Sequence, residues 1–108
     1  MSSQTHQTIT AQTAYEMMKT IGEYTILDVR TLQEFYERRI EGALLIPHTE
    51  VEDRADAELI DKDAVIFVYC HAGIRSEYAA KILADKGYTK VFDMGAITSW
   101  SYETVSGT

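Results

Sequence analysis

The sequence predicts a small α/β domain: a central parallel sheet of four to five strands with helices on both faces. Two observations predict it. First, TILDVR (25–30), ALLIP (43–47), AVIFVYC (64–70) and KVFDM (90–94) are short, apolar and rich in β-branched or aromatic residues. That is the pattern of strands buried on both faces. Second, the segments between them carry apolar residues at helical spacing, and strands alternating with helices build a parallel sheet covered on two sides.

The elements follow in order. Residues 10–20 (TAQTAYEMMKT), with Ala14, Met17, Met18 and Ile21 at helical spacing, predict a helix capped by Thr10 or Thr13. A fifth strand is expected near Thr8 and Ile9. After the strand at 25–30, TLQE (31–34) has the form of a capping box and opens a helix reaching Arg38 or Arg39. Gly42 breaks the chain before ALLIP, which stops at the only proline, Pro47. A charged helical segment covers 51–59. The strand AVIFVYC then leads into a helix from about Arg75 to Lys86, with Gly87 as its stop. KVFDM is the last strand, and a short helix is expected over 96–103. Trp100, Phe35, Met17 and Met18 are read as core.

The 108 residues fit one domain over 8–104, between a polar tail at 1–7 and a C-terminal tail at 105–108. A balance of 10 Lys and Arg against 17 Asp and Glu gives a net charge of −7, which argues against nucleic acid or an anionic membrane as partner. No apolar segment approaches the ~20 residues needed to span a bilayer. The opening MSSQTHQTIT has neither the basic nor the apolar region of a secretory signal, so a cytoplasmic protein is expected. A single cysteine excludes an internal disulfide or a cysteine metal cluster. His6, His48 and His71 fall at no ligand spacing, so no metal or other cofactor is expected. The oligomeric state is not readable, and a monomer is the expectation.

The chemistry concentrates in CHAGIRS (70–76), where a strand ends and a helix begins at once. In open α/β sheets, sites form at the carboxyl ends of strands, and Cys70 sits at such an end. Gly73 lies mid-curl, where glycine tolerates a positive φ, and successive amides in such a curl form an anion-binding nest. The helix start adds unpaired donors. Arg75 in the first turn opposes the helix dipole at a cost of about 0.3–1 kcal/mol, which suggests that it serves something anionic. This field favours an exposed, reactive Cys70 thiolate. The same residues have plainer readings: a terminal cysteine as a small hydrophobe, His71 as an ordinary loop residue, Ser76 as a helix cap.

With these residues in view, the chain resembles the rhodanese-homology sulfurtransferases from about Thr8 to Tyr102. The likeness rests on ILDVRTLQEF (26–35), IEGALLIP (40–47), YCHAGIRS (69–76) and GYTKVFDMGAITSW (87–100), in the family's order. It implies a five-stranded parallel sheet, with Cys70 as the sulfur-carrying nucleophile. His71, Ala72, Gly73, Ile74 and Arg75 would form a cradle that Ser76 closes. It implies a Cys70 thiolate that takes the outer sulfur of a donor such as thiosulfate, releases sulfite, and passes the persulfide sulfur to cyanide or a thiol. Arg75 would hold the donor's sulfonate. Asp28 and Arg30 match the family's DVR element and read either as support for the loop or as a plain ion pair. The chain departs from the pattern at Arg39 (usually His), Glu41 (usually Pro), Ala96 (usually Gly) and His71 (often a basic residue).

Two other functions fit parts of this pattern. Phosphatases and arsenate reductases of related fold have one residue more between cysteine and arginine, and the shorter ring here suits a single sulfur better than a tetrahedral phosphate. A persulfide sulfur carrier, or a regulatory module binding a partner protein, would keep Cys70 and is not separable from an enzyme by sequence. The expected partners are a small anionic sulfur donor, a thiol or cyanide acceptor, and a protein sulfur acceptor in the carrier case.

Overall fold

The computed structural model describes residues 5–107. A two-residue strand, β1 (Gln7–Thr8), leads into α1 (Ala11–Thr20), whose N-cap Thr10 accepts the Thr13 N–H at 3.0 Å. After β2 (Thr25–Asp28), Thr31 and Glu34 close the capping box in both directions, at 3.2 and 2.9 Å, and start α2 (Leu32–Glu37). Then come β3 (Arg39–Ile40), β4 (Leu44–Leu45) and α3 (Val51–Glu58). The second half contains β5 (Val65–Cys70), α4 (Ile74–Asp85), β6 (Lys90–Ala96), a short 3-10 turn (Ile97–Ser99) and β7 (Thr104–Val105).

The main sheet has five strands in the order β1-β6-β5-β2-β4, every pair parallel. β5 is central, which is why its sequence is apolar at nearly every position. Its side chains alternate between two cores. Ile66, Val68 and Cys70 join Leu27, Ala80 and Leu83 beneath α3 and α4. Phe67 and Tyr69 join Ile26, Ala14 and Trp100 on the side of α1. Burying each such large side chain contributes about 1.5–3 kcal/mol. Among the described residues, no helix is long and apolar enough to cross a membrane.

The register slips by one residue between Val68 and Tyr69, so that Tyr69 pairs with Gly95 and Cys70 with Ala96. Gly95 takes φ +78° at this bulge, and its N–H bonds to the Asp93 carboxylate at 2.9 Å.

Several elements differ from expectation. The second helix stops at Glu37 rather than Arg38 or Arg39, because Arg39 and Ile40 pair antiparallel with Val105 and Thr104. Arg39 Nη1 also donates to the Gly107 carbonyl at 2.7 Å, and the Gly107 N–H to Tyr36 O at 2.7 Å. The expected helix over 96–103 reduces to the 3-10 turn. Packing opposes a helix there: Tyr102 stacks on Tyr15 at 3.7 Å, and Trp100 Nε1 donates to the Glu103 carbonyl at 3.1 Å. The strand expected at Thr8–Ile9 begins one residue earlier, at Gln7, and Val105 pairs in a sheet beyond residue 104. The first four residues of the expected N-terminal tail, and Thr108, lie outside the described residues.

Candidate active site

Cys70 ends the central strand on the face covered by α4, and it is buried, with 1% of its surface exposed. The expectation of an exposed thiol is corrected here. The side chain follows Ile66 and Val68 into the core, and the next residues fold over it. In that fold the Gly73 N–H points at Cys70 Sγ, 2.9 Å away. Gly73 holds φ +99°, a conformation that costs a side-chain-bearing L-residue about 1–2 kcal/mol.

Gly73 is also the N-cap of α4, and no side chain caps that helix. Its first-turn N–H groups therefore keep their intrinsic lack of an intrahelical acceptor, directly after the curl that carries the sulfur. Ser76 does not cap the helix as an acceptor. It is fully buried, and its hydroxyl donates to the Gly73 carbonyl at 3.1 Å, bracing the turn. His71, Ala72 and Ile74 are exposed around the curl. His71 lines a groove of about 230 Å³ together with Arg30, Glu34 and Arg38.

Arg75 meets its anion within the protein. Its Nη1 and Nη2 donate to Glu34 Oε1 and Oε2 at 2.8 and 2.9 Å, a bidentate pair between the first turns of α4 and α2. These bonds pull the Glu34 carboxyl down to about 2, helped by the Thr31 N–H against the effect of burial. The same bonds raise Arg75, against the effect of burial.

Asp28 and Arg30 form a buried pair, exposed 0% and 4%. Arg30 Nη2 and Nε donate to Asp28 at 2.7 and 3.0 Å, and the Arg30 backbone N–H adds a bond of 2.9 Å. Tyr69 O–H donates to Asp28 Oδ2 at 2.7 Å and accepts the Ile40 N–H at 3.1 Å. Burial, then the neighbouring Asp28 charge, pushes the Tyr69 phenol up, so it remains a donor at neutral pH. Arg30 Nη2 reaches the Arg38 carbonyl at the end of α2 as well. The network thus fastens α2, β3 and the end of β2 to β5, on the face opposite Cys70. Among the described residues it leaves no buried side-chain polar atom without a partner.

The sequence model of the family described as "Rhodanese-like domain" matches residues 10–103. The chain belongs to this family. Among rhodanese-like relatives, it is 35% identical over 81 residues to "Thiosulfate sulfurtransferase PspE" of Escherichia coli, covering 75% of this chain and 78% of that one. It is 40% identical over 80 residues to "Putative sulfur carrier protein YrkF" of Bacillus subtilis, covering 73% of this chain but 42% of that longer protein. A solved "rhodanese with anions from E. coli" superposes with a TM-score of 0.74 at 33% identity, covering 79% of this chain and all of that one. These likenesses support sulfur transfer as the general activity.

The structure brings Cys70, Gly73, Arg75 and Ser76 together within this rhodanese-like loop, and places Asp28 and Arg30 behind it. The sequence reading missed Glu34 as the partner of Arg75, and Tyr69 as the link between Asp28 and Ile40. Glu34 was visible only as the last residue of a capping box, which it also completes. It missed the groove of about 300 Å³ formed by His48, Thr49, Ile74, Arg75 and Tyr78 as well.

Proposed function

We propose that this chain is a sulfurtransferase of thiosulfate sulfurtransferase type, working through a persulfide on Cys70. The observation that carries the reading is the Gly73 N–H aimed at Cys70 Sγ at 2.9 Å, with the uncapped start of α4 beside it. The Cys70 thiolate attacks the outer sulfur of the donor. A bond forms between Sγ and that sulfur, the donor's own S–S bond breaks, and sulfite leaves with the electron pair. Cyanide or a thiolate then removes the outer sulfur and returns the Cys70 thiolate. Fixed amides at the curl favour negative charge on the sulfur as it develops and on the persulfide that results. His71 to Arg75 form the cradle, Ser76 braces it, and Asp28 and Arg30 support it from behind. A solved relative, 33% identical, is described as a rhodanese with anions, which fits an anionic donor.

The same reading takes a small anionic sulfur donor and a thiol or cyanide acceptor as partners. It needs no metal or other cofactor, and it places the protein in the cytoplasm as a monomer. Intact-protein mass spectrometry after brief exposure to thiosulfate tests it. A gain of one sulfur atom is expected, reversed by cyanide with release of thiocyanate and absent in Cys70→Ser. Equal sulfur loading or thiocyanate release in Cys70→Ser would refute the mechanism.

A second reading, a sulfur carrier for a partner protein, is favoured by one observation: Arg75 is already engaged by Glu34. A carrier would load Cys70 once and turn over slowly with thiosulfate and cyanide.

A further inference from the structure

Arg75 is the only fixed cation between Cys70 and Ser76, and its charge is already met. Glu34 is held from two sides: Arg75 binds both carboxylate oxygens, and the Thr31 N–H donates to Oε1 at 2.9 Å. Such a charge-assisted bidentate pair fixes position as well as charge. An anionic donor approaching the cradle therefore meets a neutralised guanidinium with a carboxylate beside it. The repulsion from that carboxylate doubles when the donor carries two charges.

The apolar surroundings point the same way. Arg75 also borders the groove of about 300 Å³ lined by His48, Thr49, Ile74 and Tyr78. Ile74 and Tyr78 lie one helical turn apart on α4 and are 78% and 56% exposed, and the His48 ring packs edge-on to Tyr78 at 5.9 Å. This groove opens beside the cradle, where the carrier group of an organic sulfur donor can seat.

Resting on the sulfurtransferase reading above, we infer that Glu34 is a specificity-determining residue. It disfavours dianionic donors and biases the site toward sulfane donors that carry one negative charge on an apolar group. An aryl thiosulfonate has that chemistry. The Cys70 thiolate bonds to its outer sulfur, the bond from that sulfur to the sulfonyl sulfur breaks, and the aryl sulfinate leaves with the electron pair. Charge balances, and no oxidant or reductant is required.

The test compares kcat/KM for thiosulfate and for benzenethiosulfonate, with cyanide as acceptor and thiocyanate as readout. Each pair of unit charges about 6 Å apart in a water-like dielectric changes affinity about threefold. Glu34→Gln should therefore raise kcat/KM about tenfold for thiosulfate and about threefold for benzenethiosulfonate, shifting their ratio about threefold toward thiosulfate. Gln keeps the capping-box geometry, and Glu34→Ala gives the same readout without the side chain. Glu34→Asp, which retains the charge, should keep the wild-type ratio. Thr31→Ala, which breaks the cap and spares the ion pair, should keep it too. An unchanged ratio in both neutral variants, with Cys70 persulfide still forming, would overturn the inference and leave sulfur transfer standing. An equal shift in Thr31→Ala would assign the effect to the helix cap and also overturn it. Absence of Cys70 persulfide with either donor in the wild-type protein would instead overturn the reading on which it rests.

Discussion

Tyr69→Phe isolates one oxygen at the centre of the buried network. That oxygen donates to Asp28 at 2.7 Å and accepts the Ile40 N–H at 3.1 Å, while Tyr69 and Ile40 are 1% and 3% exposed. Phe preserves the ring and its packing. The loss is a hydrogen bond to a charged acceptor, about 1.5–3 kcal/mol, together with a buried N–H left without a partner, about 1–3 kcal/mol. Because both effects share one atom, they do not add in full, and about 3 kcal/mol is expected. An unfolding entropy of about 2.1 cal/mol/K per residue converts 1 kcal/mol to about 4 °C for a chain of this size, so the thermal midpoint should fall by about 13 °C. Urea and thermal unfolding of both proteins measure it. A loss below about 1 kcal/mol would refute the reasoning, since it would mean that the network does not depend on this oxygen. Well below the new midpoint, Cys70 should still take up sulfur, because Tyr69 faces away from the sulfur across β5.

Two further outcomes follow from the loop and its ion pair. Gly73→Ala should lose about 1–2 kcal/mol through its φ of +99° alone, since the added Cβ meets Gly95 Cα at an ordinary 3.9 Å. Thiocyanate release should fall with it as the N–H leaves Sγ, and an alanine variant of full stability and activity would show that the curl is not constrained. For Glu34, the carboxyl is depressed to about 2 in the folded protein, so its stabilisation is complete above its unfolded value and lost as pH falls toward 2. Discounted for partial exposure, the difference in unfolding free energy between wild type and Glu34→Gln should be about 1 kcal/mol at pH 7. It should shrink across pH 4.5 to 2, and a difference independent of pH there would refute the assignment.

What the sequence disclosed was local. The strands expected at 25–30, 64–70 and 90–94, the TLQE capping box and the positive φ of Gly73 each depend on residues within a few positions of one another, and all are present in the structure, while the strand expected at 43–47 keeps only Leu44–Leu45. What it hid was distant or competitive. Glu34 and Arg75 are 41 positions apart, and the capping box already supplied a sufficient local reason for Glu34 to be there. The two-residue strands β3 and β7 have no periodicity to detect, and each exists through the other. The exposure of Cys70 was misjudged because it depends on how closely the loop folds back, which the backbone bond to Sγ decides. The final helix failed because the stacking of Tyr102 on Tyr15 outweighs the weak helical preference of ITSWSYE.

The division between Asp28, Arg30 and Tyr69 beneath the site and His71, Ile74 and Tyr78 around it bears on how such a protein can diversify. Changes below strike a buried ionic network, where removing one partner costs about 3–5 kcal/mol and threatens the fold. Changes around the opening fall on exposed positions of the curl and of α4, where most substitutions alter stability by no more than about 0.5 kcal/mol. Donor and acceptor preference can therefore change by mutation at the opening while the buried network behind the site is left intact. One chassis can in this way acquire new substrates without passing through an unfolded ancestor.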